Sequence, residues 1–489
     1  MRCQLRVTAL VATQILVPCS AATAAPPVPY IVRAADVPTP PYRFEPAEEA
    51  LLDEIQRACF LYFWKQVGDP APLVRDRLKA PVSSVAAVGF QLSALPVGVE
   101  RGWITRAAGA QRAAAILRAL IERPDNKRFG VYLHYPDLNT GGPSDAGYEI
   151  VASTIDHALL LAGALTAGAY FGGPVRELAE RMEAESNWRA FATAPGGLLS
   201  MGWRVHDVRN VAGDGEFLTS HWYVASDEER LIYFLAVGAS RTEFALPPER
   251  YYALRRVVKA HGDLPPFVVS WPGCLFTYLF SHCWIGYAAF GPDEPARFGG
   301  SGPRVDWFEN SRRAVLTHRQ RCIELASRYA TLGPDRWGLS ACVGREGYIV
   351  PEVRPNLSNE DRWYEGTVAP YVAGTALMLT PAESMAALRA FRALRTEEGH
   401  PLIWHDPAVG GYGLADAFNL TQKYVCDDVV GIDHGPMLLG IENARTGLIW
   451  RLFMQTPTAQ RAVERLGWTR AAATQPASAP ATTAPRPAP

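Results

Sequence analysis

Lysine is scarce in this 489-residue chain: it supplies five of the 48 basic residues, and no Lys/Arg run of useful length occurs. The basic residues are offset by 49 acidic ones, giving a formal net charge of -1. With no global positive field to hold a phosphate backbone, nucleic acid is not an expected partner. Strand-like alternation is also rare, which points away from an all-β architecture. Other absences narrow the chemistry. The sequence has no G-x-S-x-G elbow, P-loop, H-E-x-x-H or Gly-rich dinucleotide fingerprint. It has no C-x-x-C pair or Cys/His cluster of zinc spacing either, so neither a metal nor an organic cofactor is expected. The longest charge-free stretch, 264–292, is broken by Pro265, Pro266 and Pro272 and interrupted at Ser281-His282. It therefore reads as a buried internal segment, and no stable membrane insertion is expected.

What is present is an ordinary globular composition, 48% apolar and 20% charged. Arg2 and Arg6 precede the apolar run Val7 to Val17, and Ala22-Thr23-Ala24 offers a small-x-small cleavage pattern. Residues 1–24 thus read as a signal peptide, with a periplasmic or secreted destination. A Pro-rich linker is expected over 25–45, a folded domain over 46–468, and a disordered Ala/Pro/Thr tail over 469–489. Six cysteines follow the leader, and their disulfide pairing is left open by the sequence.

Helical signals dominate the folded part. Thr105 can cap a run carrying Ile116, Leu117, Leu120 and Ile121 at helical spacing. Asp306-x-x-Glu309 has the form of a capping box, and Thr380-Pro381-Ala382-Glu383 combines cap, N1 proline and reciprocal Glu. Such signals place about twelve helices near 46–65, 103–122, 150–171, 174–190, 227–239, 247–260, 274–289, 307–330, 367–378, 382–395, 413–421 and 435–454. Some are apolar all round and others have a polar face, as in two concentric layers. The expected fold is an all-α toroid of six helical hairpins, with loops and helix ends surrounding a central cup.

The connections that would rim this cup hold isolated carboxylates among glycines and aromatics: Tyr148-Glu149, Asp227-Glu228, Trp363-Tyr364-Glu365, Gly411-Tyr412-Gly413 and Gly431-Ile432-Asp433. Among the 13 tryptophans, Trp222, Trp284, Trp337, Trp363 and Trp404 are candidate platforms for sugar rings, with core packing as the alternative. Glycosidic cleavage needs one carboxyl group to protonate the departing oxygen and a second to activate water or attack carbon. The loops supply both. A binding-only protein would show the same aromatic cup.

Several strings then become specific. SVAAVGFQLSALPVGVERGWITR (84–106), STIDHALLLAGALTAGAYF (153–171), VDWFENSRRAVLTHRQRCI (305–323), WGLSACVGREGY (337–348), EGTVAPYVAG (365–374), GYGLADAFN (411–419) and GIDHGPMLLGIENARTGLIWRLFM (431–454) resemble the glycoamylase-like family, the group of endo-β-1,2-glucanases and their relatives. The resemblance implies an (α/α)6 barrel, export, and inverting hydrolysis of β-1,2-glucan, with transglycosylases among the relatives. Matched by position, it also picks out Asp156, Glu228, His282, Asp306, Glu309, Asp416, Asp433 and Glu442.

Glu228, in SDEERLIYFLAVGAS (226–240), matches the family's opening of an inner helix and is the first choice for the acid, and a capping box of Ser226 with Glu229 leaves it free for that duty. Asp433 reads either as base or substrate ligand, or as the cap of a helix opened by Pro436. Asp156 and Glu442 lie in apolar helices, so each needs a partner, Arg445 being one for Glu442. Both stand as substrate-binding candidates with Trp222, His282, Trp284, Arg312, Trp337, Trp363, Glu365 and Tyr412. The sequence departs from the family pattern at Val151 and Val343, where relatives carry acids, and at Glu365, where they carry an aspartate. Glu149, two residues from Val151, is the candidate to replace the first of these as a base. The expected partner is a polysaccharide or oligosaccharide, acted on by a monomer.

Overall fold

The computed structural model describes residues 30–225, 227–362 and 365–471. Fourteen helices occur among the described residues: α1 Pro46–Lys65, α2 Val85–Glu100, α3 Arg106–Ile121, α4 Thr154–Phe171, α5 Gly173–Glu185, α6 Asp227–Gly238, α7 Glu249–Tyr252, α8 Phe276–Leu279, α9 Trp307–Glu324, α10 Tyr371–Ala376, α11 Pro381–Ala393, α12 Gly431–Arg445, α13 Leu448–Met454 and α14 Pro457–Arg465. Six of them, α2, α4, α6, α8, α10 and α12, touch in that order, and α12 returns to α2 to close a ring. Around it, α1 packs on α12 and α2, α3 on α2, α5 on α4, α7 on α6, α9 on α8 and α11 on α10. This is an (α/α)6 barrel, as the two classes of helix predict.

The inner helices have no polar face because they are covered on all sides. In α2 every residue from Val85 to Gly98 is buried, Pro96 included. Its closest neighbour is α4, and a Cβ added at Gly89 or Gly163 would come within 2.2 Å of backbone on the other helix. Glycine is what permits that approach.

Inner helices all run from one end of the barrel to the other, which sorts the connections. At the floor most are short, the turn from α4 to α5 being Gly172 alone at φ 70°, with residues 280–306 between α8 and α9 as the long exception. At the mouth they are long: residues 66–84, 122–153, 186–226, 253–275, 325–370 and 394–430. These segments carry the short antiparallel strands, including a three-stranded sheet of Val151–Ser153, Gly202–Val205 and Gly215–Phe217 and the hairpin Cys342–Gly344/Gly347–Ile349. Long loops over helix N-termini are where function concentrates in such an arrangement.

Several expected helices change form. The stretch 413–421 contains the strands Gly413–Leu414 and Phe418–Asn419 and is not helical, its strands pairing with Trp404–His405 and Tyr424–Val425. The stretch 247–260 keeps only α7, and 274–289 only α8 with two 3-10 turns. The expected helix 435–454 is two helices broken by Gly447 at φ 66°, and it opens at Gly431, so Pro436 lies inside α12 and does not start it. From Ile31 onward the expected linker is anchored: Ile31 is fully buried and exchanges backbone hydrogen bonds with Arg304 and Asp306. The six cysteines are buried and no disulfide joins them. Among the described residues no helix is long and apolar enough to cross a membrane.

Candidate active site

Two carboxyl groups lie at the mouth with almost no solvent contact. Asp433 occupies the first turn of α12, and Asp416 follows the strand Gly413–Leu414; each is 1% exposed. Asp416 Oδ2 accepts the Val343 N–H at 2.8 Å. The two carboxyls are within hydrogen-bonding reach of each other, and Tyr371, whose hydroxyl meets Ser340 Oγ at 2.9 Å, lies against Asp433. Burial holds Asp433 well above the usual carboxylate range, and the neighbouring Asp416 adds to the effect. Burial raises Asp416 as well, partly offset by hydrogen bonds from Asp433 and Val343. A raised pKa strengthens a carboxylate as a base while it still ionises at working pH.

A second cluster adjoins the first. Arg77 Nε binds Asp76 Oδ2 at 3.1 Å, and its guanidinium lies over the Tyr348 ring, 5.6 Å from the centroid. Arg77 is the cation within electrostatic reach of both Asp416 and Asp433. Asp156, in the first turn of α4, accepts Ser153 Oγ at 2.5 Å and meets His134 Nε2 at 3.0 Å. His134 stacks on Tyr135 with centroids 3.8 Å apart, and Tyr135 leans on Tyr148 at 4.9 Å. Tyr135, Tyr148 and the 47%-exposed Tyr348 thus supply an aromatic lining.

Glu228 opens α6 and is half-buried. It lies within electrostatic reach of the buried Cys274 thiol, which also neighbours Cys342 and Tyr371. Glu365 joins two rim loops, accepting Thr367 Oγ1 at 3.3 Å and Gln422 Nε2 at 2.6 Å. The Ser226 cap and Trp363 lie outside the described residues.

Other expected site residues are placed elsewhere. Trp284 and Trp337 are fully buried, Trp284 donating to Ser93 Oγ at 2.9 Å; Trp222 is 7% exposed and donates to Thr154 Oγ1 at 2.8 Å. Large apolar faces gain more from core burial than from an open rim, so the core takes them. His282 is likewise in the core, bonded to Ser311 Oγ at 2.9 Å, and burial holds its imidazole well below the usual range. Arg312 pairs with Glu309 at 2.8 Å near the start of the outer helix α9, which is its floor end. Glu442 lies nine residues along α12 from Asp433, about 13 Å down the barrel. Its partners are Arg101 at 2.8 Å and Gln56 at 3.0 Å, while Arg445 pairs with Glu49 at 2.6 Å. Tyr412 is 5% exposed and accepts Gln66 Nε2 at 2.5 Å behind the rim. Glu149 stands on the outside of the sheet, its side chain 63% exposed and bound to Arg204 at 2.7 Å, apart from the buried acids.

Asp76, Arg77, His134, Tyr135 and Tyr348 are functional candidates that sequence reasoning does not find. All sit in loops or a short hairpin with no periodic signal, and tertiary contacts assemble them: the Gly431 N–H meets Asp76 O at 2.8 Å, and the His134 N–H meets Val151 O at 2.8 Å.

A closed double ring of helices with buried acidic side chains at one mouth defines the (α/α)6 class of fold. Residues 220–457 match the Glycoamylase family, described as "Putative glucoamylase". The chain is 28% identical over 454 residues to an exo β-1,2-glucooligosaccharide sophorohydrolase (non-reducing end) of Parabacteroides distasonis, an alignment covering 86% of this chain and 58% of the relative. The chain thus spans little more than half the length of that relative. It superposes on a crystal structure of a "putative glucoamylase" from Bacteroides uniformis with a TM-score of 0.72 at 24% identity, covering 88% of this chain and 99% of the other. An endo-β-1,2-glucanase from Chitinophaga pinensis, in complex with sophorotriose and glucose, gives 0.70 at 23% identity, covering 86% and 98%. The expected resemblance to the glycoamylase-like family is met by the family match over residues 220–457 and by similarity to the Parabacteroides distasonis relative.

Proposed function

We propose that the protein is an exported, monomeric glycoside hydrolase that cleaves β-1,2-glucan by inversion, with Glu228 as general acid and Asp433 as general base. The observation that carries this reading is the buried Asp433–Asp416 pair in the first turn of α12 and the loop before it, with Glu228 in the first turn of α6, another inner helix of the same ring. Family relatives named for β-1,2-linked substrates support the choice of linkage. In this scheme Glu228 protonates the departing glycosidic oxygen while Asp433 takes a proton from the water that attacks the anomeric carbon. Asp156 with His134, and the tyrosines of the rim, hold the flanking sugars through hydroxyl hydrogen bonds and ring stacking. Residues 1–24 act as the export signal.

Incubation of the purified protein with linear β-1,2-glucan is expected to release new reducing ends, and other glucans to release none. Glu228→Gln should lower kcat by about 10²–10⁴-fold with the melting temperature unchanged. Turnover near wild type in that variant would remove Glu228 from the acid role. One feature favours a binding-only protein: Val151, where the family pattern implied by the resemblance has an acid, is an apolar strand residue, 9% exposed and paired with Arg204. Tight glucan binding with no product from any glucan would select that reading, and longer or cyclic products would select a transferase.

A further inference from the structure

Asp416 and Asp433 approach each other, and among the described residues no cation pairs with either within 4 Å. Asp416 Oδ1 and Asp433 Oδ2 are fully buried and have no donor among the described residues. The other Asp416 oxygen is taken by the Val343 N–H, and Tyr371 supports Asp433 from α10. The surrounding charge does not compensate two anions. Arg77 is the cation in reach of both carboxyls, and it is already bound to Asp76 at 3.1 Å. Asp428, from the loop before α12, adds negative charge toward Asp416, while Cys342 and Tyr348 from the hairpin and Tyr371 contribute neutral groups. Two bare carboxylate oxygens cannot both ionise in contact at low dielectric, whereas one proton between them turns repulsion into a short O–H···O bond.

We infer that Asp416 and Asp433 hold a single shared proton, and that Asp416 is a positioning residue that keeps the ionised oxygen of Asp433 toward the attacking water. This rests on the reading of Asp433 as base. The step balances. Water oxygen bonds to the anomeric carbon as the glycosidic C–O bond breaks. The water proton passes to Asp433, which leaves the pair with two protons. The departing oxygen takes the Glu228 proton. Exchange with solvent resets both.

The test is a pH titration of the protonated-carboxyl infrared band in the full chain, in D416N and in D433N. In the wild type the pair titrates in two coupled steps, at least about 3 pH units apart as in other carboxyl dyads. In D416N the surviving Asp433 step falls between those two positions, and D433N gives the same result for Asp416. A surviving step that stays at a wild-type position in either variant overturns the inference. So does a wild type with no coupled steps. D433N also serves as the reciprocal test should D416N not fold. In kinetics, D416N should move the acid limb of kcat upward by about one pH unit or more, since an amide N–H stabilises the carboxylate less than the shared proton does, with KM within about twofold. An unmoved limb in a protein that hydrolyses glucan removes the positioning role. Coupled titration without hydrolysis of any glucan would retain the shared proton and sink the glucanase reading instead.

Discussion

The buried acids of the barrel wall and floor differ from those of the mouth in what neutralises them. Asp293 receives Arg256 through two nitrogens at 2.7 and 2.8 Å, the Trp307 indole N–H at 2.9 Å and the Val305 N–H at 3.1 Å. Glu442 is met by Arg101, Gln56 and Thr446, and Glu309 by Arg312 and Arg313. At the mouth, Asp416 and Asp433 meet each other. Acids that serve the fold are matched with donors where they stand. Acids left to contest one proton weaken the folded state and are kept for what that proton can do.

Breaking the wall pair should have the largest effect. Asp293→Ala leaves the Arg256 guanidinium, whose side chain is 1% exposed, without its partner. Urea unfolding is expected to report a loss of about 3–5 kcal/mol. The mouth should respond with the opposite sign. In the unfolded chain Asp433 ionises near pH 4, whereas the folded protein holds the proton to higher pH. The folded state then binds more protons, so stability falls as pH rises through that window. Asp433→Asn removes the penalty. Its melting temperature should match wild type below about pH 4 and exceed it increasingly above. A variant less stable than wild type at pH 7 would mean that the pair contributes to the fold.

Aromatic residues divide along the same line. Trp284 packs on Phe90 at 4.9 Å in the core, and Trp284→Ala should cost about 3–5 kcal/mol in stability with KM unchanged in whatever remains folded. Tyr348 stands at the mouth, and Tyr348→Ala should leave the melting temperature alone and raise KM by about two- to twelvefold, the equivalent of 0.5–1.5 kcal/mol of ring contact. The sequence does not separate these two kinds of aromatic, because composition says nothing of which face is covered.

Legibility followed the physics of each element. Helix α1 has the expected bounds of 46–65, and α6 and α11 fall within a residue or two of theirs, since amphipathic spacing and capping residues are local signals. The buried α2 has no polar face and contains Pro96, so periodicity is silent there. The apolar spacing of 413–421 predicts a helix, yet cross-strand pairing with 404–405 and 424–425 decides its form and delivers Asp416 to the mouth. Glu228 and Asp433 are each expected at a helix start, and each stands in the first turn of its helix, because capping patterns are local signals. Asp76, Arg77 and His134 are brought in by loops, and nothing in their neighbours along the chain marks them.

The smallest expected effect concerns Glu149, the acid that the sequence offers as a substitute at the rim. Its ion pair with Arg204 joins two side chains that are 63% and 42% exposed, a setting in which solvent screens the charges and the pair is worth under about 1 kcal/mol. Arg204 also retains Glu216 at 3.3 Å once Glu149 is neutralised. Glu149→Gln should therefore leave the melting temperature within about a degree or two and kcat within about twofold. A loss approaching that of Glu228→Gln, with stability intact, would bring Glu149 inward during turnover and displace Asp433 as the base, because an acid with one exposed salt bridge has no structural route to such an effect.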